Sequence, residues 1–224
     1  MITKSEIRIP VANTFITGDL RHIPHAKRLI VFAHGSGSSR FSERNQFVAT
    51  KLNKANFSTL LFDLLTLEED HIDAYTREFR FNIPLLADRL IQVTHWLQTH
   101  PETASEKLGY FGASTGAAAA LIAAAALKNR IAAVVSRGGR PDLAHEYLGS
   151  VTSPTLLIVG ARDYEVITLN EKAYDQLTCE KKLVLVPGAT HLFEEAGALE
   201  EAALLSIEWF KKYLIDNTSS ANKI

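Results

Sequence analysis

The sequence predicts an α/β fold, with a mainly parallel central sheet flanked by helices and an antiparallel N-terminal edge. Three observations carry this. Short apolar runs alternate with longer segments of helical spacing, the pattern of strand–helix units. The runs are apolar nearly throughout instead of alternating, as strands covered on both faces are. The first two runs have no helical segment between them, so they should pair with each other at an edge of the sheet.

Taken in order, EIRIP and TFITGDL form that N-terminal pair. The remaining strands are expected at Arg28–His34, Ser58–Leu64, Lys107–Gly112, Ile131–Ser136, Thr155–Gly160 and Lys182–Gly188. Helices are expected over Glu43–Asn53, Asn82–Thr99, Thr115–Leu127, Thr168–Leu177 and Leu199–Leu214. In the last of these, Leu204, Ile207, Phe210 and Leu214 recur at spacings of three and four, one face of a helix. Such units join by right-handed crossovers and bind ligands beyond the carboxyl ends of their strands. Gly35, Gly37, Gly112, Gly116, Gly138, Gly139, Gly160 and Gly188 all follow expected strands and mark that edge of the sheet. The reading gives one domain over residues 1–216 and a polar tail over 217–224, where the NTS at Asn217 is a chance sequon.

The bulk properties narrow the function. Hydrophobic residues are 46% and charged residues 22% of the 224, with a formal net charge of −1. No basic block points to nucleic acid or an acidic membrane. The single cysteine, Cys179, excludes an intrachain disulfide. The N-terminus lacks the apolar core of a signal peptide, so a cytoplasmic location is expected. Phe111–Leu127 is 17 residues without a charge, near the lower limit of a membrane span. Most of them are Ala or Gly, which suits a thin helix buried between layers better than a bilayer. No membrane association is expected.

The chemistry starts at Gly112-Ala113-Ser114-Thr115-Gly116, which matches G-x-S-x-G between an expected strand and an expected helix. A serine lifted clear of a sheet needs a strained turn and small residues on both sides, and a helix starting there favours developing negative charge. A serine hydroxyl needs a base, and the base needs an orienting acid. His191, on the loop after the last strand, is the leading base; His145 lies in the helical-looking DLAHEYL. Asp163, off the Thr155–Gly160 strand, is the leading acid. Asp142 reads more simply as a helix cap, and Glu165 stands further from the strand end. The amide of Thr115 and that of Ser36, in His34-Gly35-Ser36-Gly37, are the candidate oxyanion donors. The loop is not a phosphate-binding loop, lacking the lysine pattern. Glu68, Glu69, Asp70 and His71 have metal-ligand chemistry but are consecutive, so a helix or strand would splay them; a solvated acidic loop is expected, with no metal and no cofactor.

Together these stretches resemble the α/β-hydrolases, specifically the small, nearly lidless dienelactone hydrolase-related group. The resemblance runs from about Arg28 to Leu214 through FAHGSGSSRFSERN, LLFDLLT, GYFGASTGAAAAL, VVSRGGRPDLA, VGARDYEVITLN and VPGATHLFEE. It implies an α/β-hydrolase fold, a Ser114, Asp163, His191 triad, and backbone donors at Ser36 and Thr115. Dienelactone hydrolases proper use a cysteine where this chain has Ser114, so lactone specificity does not carry over. Relatives are sometimes fused to a phosphoribosyltransferase domain; no such segment is read here and that activity is not expected. Many hydrolases insert a cap where Arg137–Pro154 stands, but 18 residues leave room for one short helix and an open site. Arg40, Arg137 and Arg140 fall on strand-exit loops and would bind a substrate anion if they converge. Asp63 and His34 are expected to play supporting hydrogen-bond roles.

The expected function is hydrolysis of a small ester, thioester or lactone through an acyl-enzyme, in a monomer or homodimer acting on a small-molecule acyl substrate. The alternatives are an acyltransferase on the same triad and a non-catalytic ligand-binding homologue.

Overall fold

The computed structural model describes residues 2–215. The polar tail and Asn217 lie outside the described residues. An eight-stranded sheet runs through the molecule in the order β1-β2-β4-β3-β5-β6-β7-β8. β1 (Thr3–Val11) and β2 (Thr14–His22) are the antiparallel hairpin, and β2 pairs antiparallel with β4 (Ser58–Phe62). From β4 onward every pairing is parallel, through β3 (Arg28–Ala33), β5 (Lys107–Ala113), β6 (Ile131–Arg137), β7 (Thr155–Gly160) and β8 (Lys181–Val186).

The apolar runs of β3 to β7 form strands because helices cover both faces. On one face, α1 (Glu43–Lys54) and α6 (Ala198–Leu214) bury Phe32, Phe111, Val135, Ile158 and Phe210. On the other lie α3 (Ile83–Leu97) and α4 (Thr115–Leu127), with Val31, Tyr110, Val134 and Leu157 beneath them. Of the thirteen residues of α4 only Ala126 escapes burial. Its methyl-sized side chains let it pack closely between β5, α3 and a 3-10 helix over Pro141–Ser150. No helix among the described residues is long and apolar enough to cross a membrane.

Two elements differ from expectation. The acidic stretch expected as a loop is a helix, α2 (Leu67–Thr76), started by a reciprocal capping box between Thr66 and Glu69. That T-x-x-E pattern was a readable signal, masked by the lack of an apolar stripe. α5 spans Tyr164–Gln176 and begins four residues before the expected Thr168, because Asp163 occupies its N-cap.

Candidate active site

The strand ends β3, β5, β6, β7 and the loop after β8 meet above one edge of the sheet. Ser114 sits between β5 and α4 with φ 50° and ψ −124°, a backbone conformation that a non-glycine residue adopts only under constraint. Its neighbours supply the constraint. The Ser114 N–H donates to the Arg137 carbonyl at 3.3 Å, and its carbonyl accepts from the Arg140 N–H at 3.0 Å. A methyl on Gly112 would meet Ala117 Cα at 2.4 Å, and one on Gly116 would meet the Ala33 carbonyl oxygen at 2.2 Å. Both glycines are therefore required by the close passage of helix and strand, and Ser114 is pushed out over the edge.

His191 lies on the loop after β8. Its Nδ1 is 2.7 Å from Asp163 Oδ2. Asp163 stands at the N-cap of α5 yet makes no side-chain cap bond; its carboxylate is committed to the imidazole, which keeps the proton on Nδ1 and leaves Nε2 as the acceptor. The loop is held by Glu195, whose carboxylate accepts from the Thr190 N–H at 3.1 Å and its hydroxyl at 2.6 Å. Ser114 and His191 line the same cavity of about 200 Å³, and among the described residues no hydrogen bond joins them. Of the rejected alternatives, His145 Nδ1 lies 2.8 Å from Gln176 Oε1, and Asp142 is bound to Arg140.

The Ser36 loop is tightly set. The Leu64 N–H donates to His34 Nε2 at 3.1 Å, so the ring proton is on Nδ1, which donates to the Gly35 carbonyl at 2.9 Å. Burial pushes the His34 pKa down, keeping this neutral tautomer. The Gly35 carbonyl and the Ser36 N–H belong to one peptide unit, so His34 fixes the direction of that N–H. It donates to Thr115 Oγ1 at 2.8 Å. The Ser36 amide, one of the two expected oxyanion donors, is thus occupied by the Thr115 hydroxyl.

The three arginines do not converge. Arg40 is held by Asp63, by Glu6 at 3.1 Å and by Asp19 at 3.6 Å. Arg140 makes a two-point bond to Asp142 at 2.9 and 2.8 Å. Arg137 alone reaches the small cavity, where it is joined by Arg44, a residue that sequence reasoning missed. Arg137 is 5% exposed; burial and the neighbouring Arg44 lower its pKa to about 10.

A second, larger cleft of about 900 Å³ borders the first and shares Gly35, Ser36 and Ser38 with it. Phe15, Phe41, Leu65, Leu67 and Ile72 give it apolar walls, and α2 forms one side. The acidic residues of α2 do not gather: Glu69 pairs with Arg89 at 2.5 Å, and no metal-binding cluster occurs among the described residues.

Comparison with known proteins accords with this geometry. A family model described as an alpha/beta hydrolase domain matches residues 26–207. A crystal structure of a dienelactone hydrolase from Anabaena variabilis is 51% identical, covers 96% of this chain and 99% of its own, and superposes with a TM-score of 0.94. An esterase from Pyrococcus furiosus, 18% identical over 96% of this chain and 92% of its own, shares the fold with a TM-score of 0.75. Two curated Mycobacterium tuberculosis proteins, each provisionally named a phosphoribosyl transferase, are 54% identical over 209 residues, 93% of this chain. The chain spans 46% of their length.

Proposed function

The chain belongs to the α/β-hydrolase family, and from that membership we propose that it is a serine hydrolase, cleaving a small ester, thioester or lactone through an acyl-enzyme. The single observation that carries the reading is Ser114 on its strained turn, sharing a small cavity with a His191 whose Nδ1 is bound by Asp163 at 2.7 Å. In the reaction Ser114 Oγ attacks the acyl carbon as His191 Nε2 takes its proton. Asp163 stabilises the imidazolium, which then protonates the leaving group. Water activated by the same imidazole attacks the acyl-serine and releases the acid. Catalytic hydrogen bonds are commonly long in unliganded enzymes and tighten in the complex, so the Ser114–His191 bond closes during turnover.

The developing oxyanion lies between the Thr115 and Ser36 amides. For Ser36 to serve, the Thr115 hydroxyl turns away and the oxyanion takes its place. That exchange gives up one neutral hydrogen bond, worth about 1 kcal/mol, for one to a charged acceptor, which is roughly twice as strong. The apolar cleft beside Ser36 accommodates one arm of the substrate, a larger arm than the short segment between β6 and β7 alone suggested.

The transferase name of the mycobacterial relatives describes proteins more than twice this length, and the Ser114 site offers acyl chemistry instead. The test is an ester panel varied in acyl length, run with wild type and Ser114→Ala, alongside phosphoribosyl pyrophosphate with a set of nucleobases as acceptors and release of pyrophosphate as readout. Hydrolysis abolished by Ser114→Ala, with no pyrophosphate release, is expected. Wild type inert toward every ester, or pyrophosphate release independent of Ser114, would overturn it.

A further inference from the structure

A serine at φ 50° stays there only while its surroundings hold it, and much of that hold comes from the segment after β6. The Ser114 N–H donates to the Arg137 carbonyl at 3.3 Å. The Ser114 carbonyl accepts from the Arg140 N–H at 3.0 Å and from Ala117, in the first turn of α4, at 3.1 Å. The segment is itself pinned. The Gly138 N–H donates to the Ile158 carbonyl of β7 at 2.8 Å. Gly139 is pressed so closely that a methyl on it would stand 1.9 Å from Ser136 Oγ and 2.7 Å from Ala117 Cβ.

The Gly139 carbonyl and the Arg140 N–H belong to one trans peptide, so they point in opposite directions. With the N–H on Ser114, the carbonyl points away from it and meets Asn170 of α5, whose Nδ2 donates to it at 3.0 Å. Asn170 is 0% exposed. Its second Nδ2 hydrogen goes to the Val166 carbonyl, one turn back, at 2.8 Å. Both neighbours are carbonyls, so the nitrogen of the amide has to face them. The Asn170 side-chain oxygen is buried with no partner. An unmet buried acceptor costs stability, and an apolar residue there would avoid that cost. What the amide contributes is its donors.

We propose that Asn170 is a positioning residue for the nucleophile: it grips the far side of the Gly139–Arg140 peptide and so aims the N–H that holds the Ser114 carbonyl. α5 has Asp163 as its N-cap, and Asn170 stands about two turns further along. One helix therefore orients His191 through Asp163 and braces Ser114 through Asn170. The effect on rate rests on the hydrolase reading; the brace rests only on hydrogen bonds.

The test compares Asn170→Ala with Asn53→Ala. Asn53, on α1, is a matched buried amide that donates to the Phe57 carbonyl and the Thr59 hydroxyl, both at 3.0 Å, at the opposite edge of the sheet. Asn170→Ala should lower kcat, counted per fluorophosphonate-titrated site, by about 10- to 100-fold, as a small displacement of a reacting group does. KM should be little changed. Asn53→Ala should lose comparable stability and keep wild-type kcat. Hydrogen exchange of the Arg140 amide should speed up in Asn170→Ala and not in Asn53→Ala. If Asn170→Ala does not fold, Asn170→Ser serves: its hydroxyl can still bond the carbonyl four residues back but is too short to grip Gly139.

Faster Arg140 exchange in the Asn170 variant, with a wild type that cleaves no ester, upholds the brace and sinks the hydrolase reading. An active wild type with an Asn170 variant of unchanged kcat sinks the positioning role alone. So does a kcat that falls equally in Asn53→Ala, or one that falls while Arg140 exchange stays at the wild-type rate.

Discussion

Replacing Asp163 by Asn tests the division of labour in the site. In the proposed mechanism the Asp163–His191 contact of 2.7 Å does two things: it fixes the imidazole tautomer and stabilises the positive charge formed when His191 takes the serine proton. With charge centres about 4 Å apart and an effective dielectric of about 20, that attraction is about 4 kcal/mol. An asparagine keeps the shape but loses the charge, and its N–H₂ group can donate to Nδ1 and so place the ring proton on Nε2, the wrong nitrogen. The expected loss in kcat is therefore about 10³-fold or somewhat more, with KM little changed and the melting temperature within a few degrees of wild type. Asp142→Asn, which removes only the partner of Arg140, should retain near-wild-type kcat. The assay is initial rates on a chromogenic ester at saturating substrate. An Asp163→Asn enzyme with more than a tenth of wild-type kcat, or an Asp142→Asn enzyme that loses a hundredfold, would refute the assignment.

Other parts of the structure make separate predictions. Gly116→Ala drives a methyl into the Ala33 carbonyl at 2.2 Å, so it should cost about 3 kcal/mol and lower the melting temperature by roughly 6–12 °C. Gly188→Ala, with φ +72° and no atom within 4 Å, should cost only about 1 kcal/mol of backbone strain in denaturant titrations. His34→Ala frees the Gly35–Ser36 peptide and should lower kcat about 10- to 100-fold, below the cost of losing an oxyanion donor outright, whereas His34→Asn should recover part of it. Burial pushes the Glu106 carboxyl from 4.5 up to about 7, despite the Ser58 hydroxyl donating to it at 3.2 Å. The folded state thus binds this proton more tightly than the unfolded state, and stability should fall as pH rises from about 4.5 to 7. Glu106→Gln should remove that fall, leaving the variant more stable than wild type above pH 7 by at most about 3 kcal/mol and equal to it near pH 4, as denaturant midpoints across that range will reveal.

The parts of the site that could be read in the sequence are those dictated by backbone geometry. Gly112 has to be glycine because the start of α4 passes over it, and Gly116 because α4 touches the end of β3; the five-residue pattern announces both. Asp163 and His191 are legible because chain order and strand ends are one-dimensional properties, though not the detail that Asp163 forgoes its capping bond. Side-chain pairing across the sheet is another matter. Arg40 is neutralised by Glu6, Asp19 and Asp63, carboxylates that come together only once the β1–β2 hairpin lies beside β4. Arg44 sits on the first turn of α1 among polar neighbours and reads as a solvent residue; only the docking of α1 brings it to the cavity that Ser114 also lines. The apolar cleft is likewise invisible in the chain, because its walls come from β2, the Ser36 loop and α2, which lacks any apolar stripe that would announce it. The Thr115 hydroxyl over the Ser36 amide depends on one rotamer, beyond what residue type and spacing encode.

The central claim is that Ser114 is the nucleophile. It is tested most directly by treating the intact protein with a fluorophosphonate and locating the adduct by peptide mass spectrometry. The account predicts one covalent adduct per chain, on Ser114, absent from Ser114→Ala and strongly slowed in His191→Ala. An adduct on any other residue, or a wild-type protein that resists labelling while folded, would contradict it.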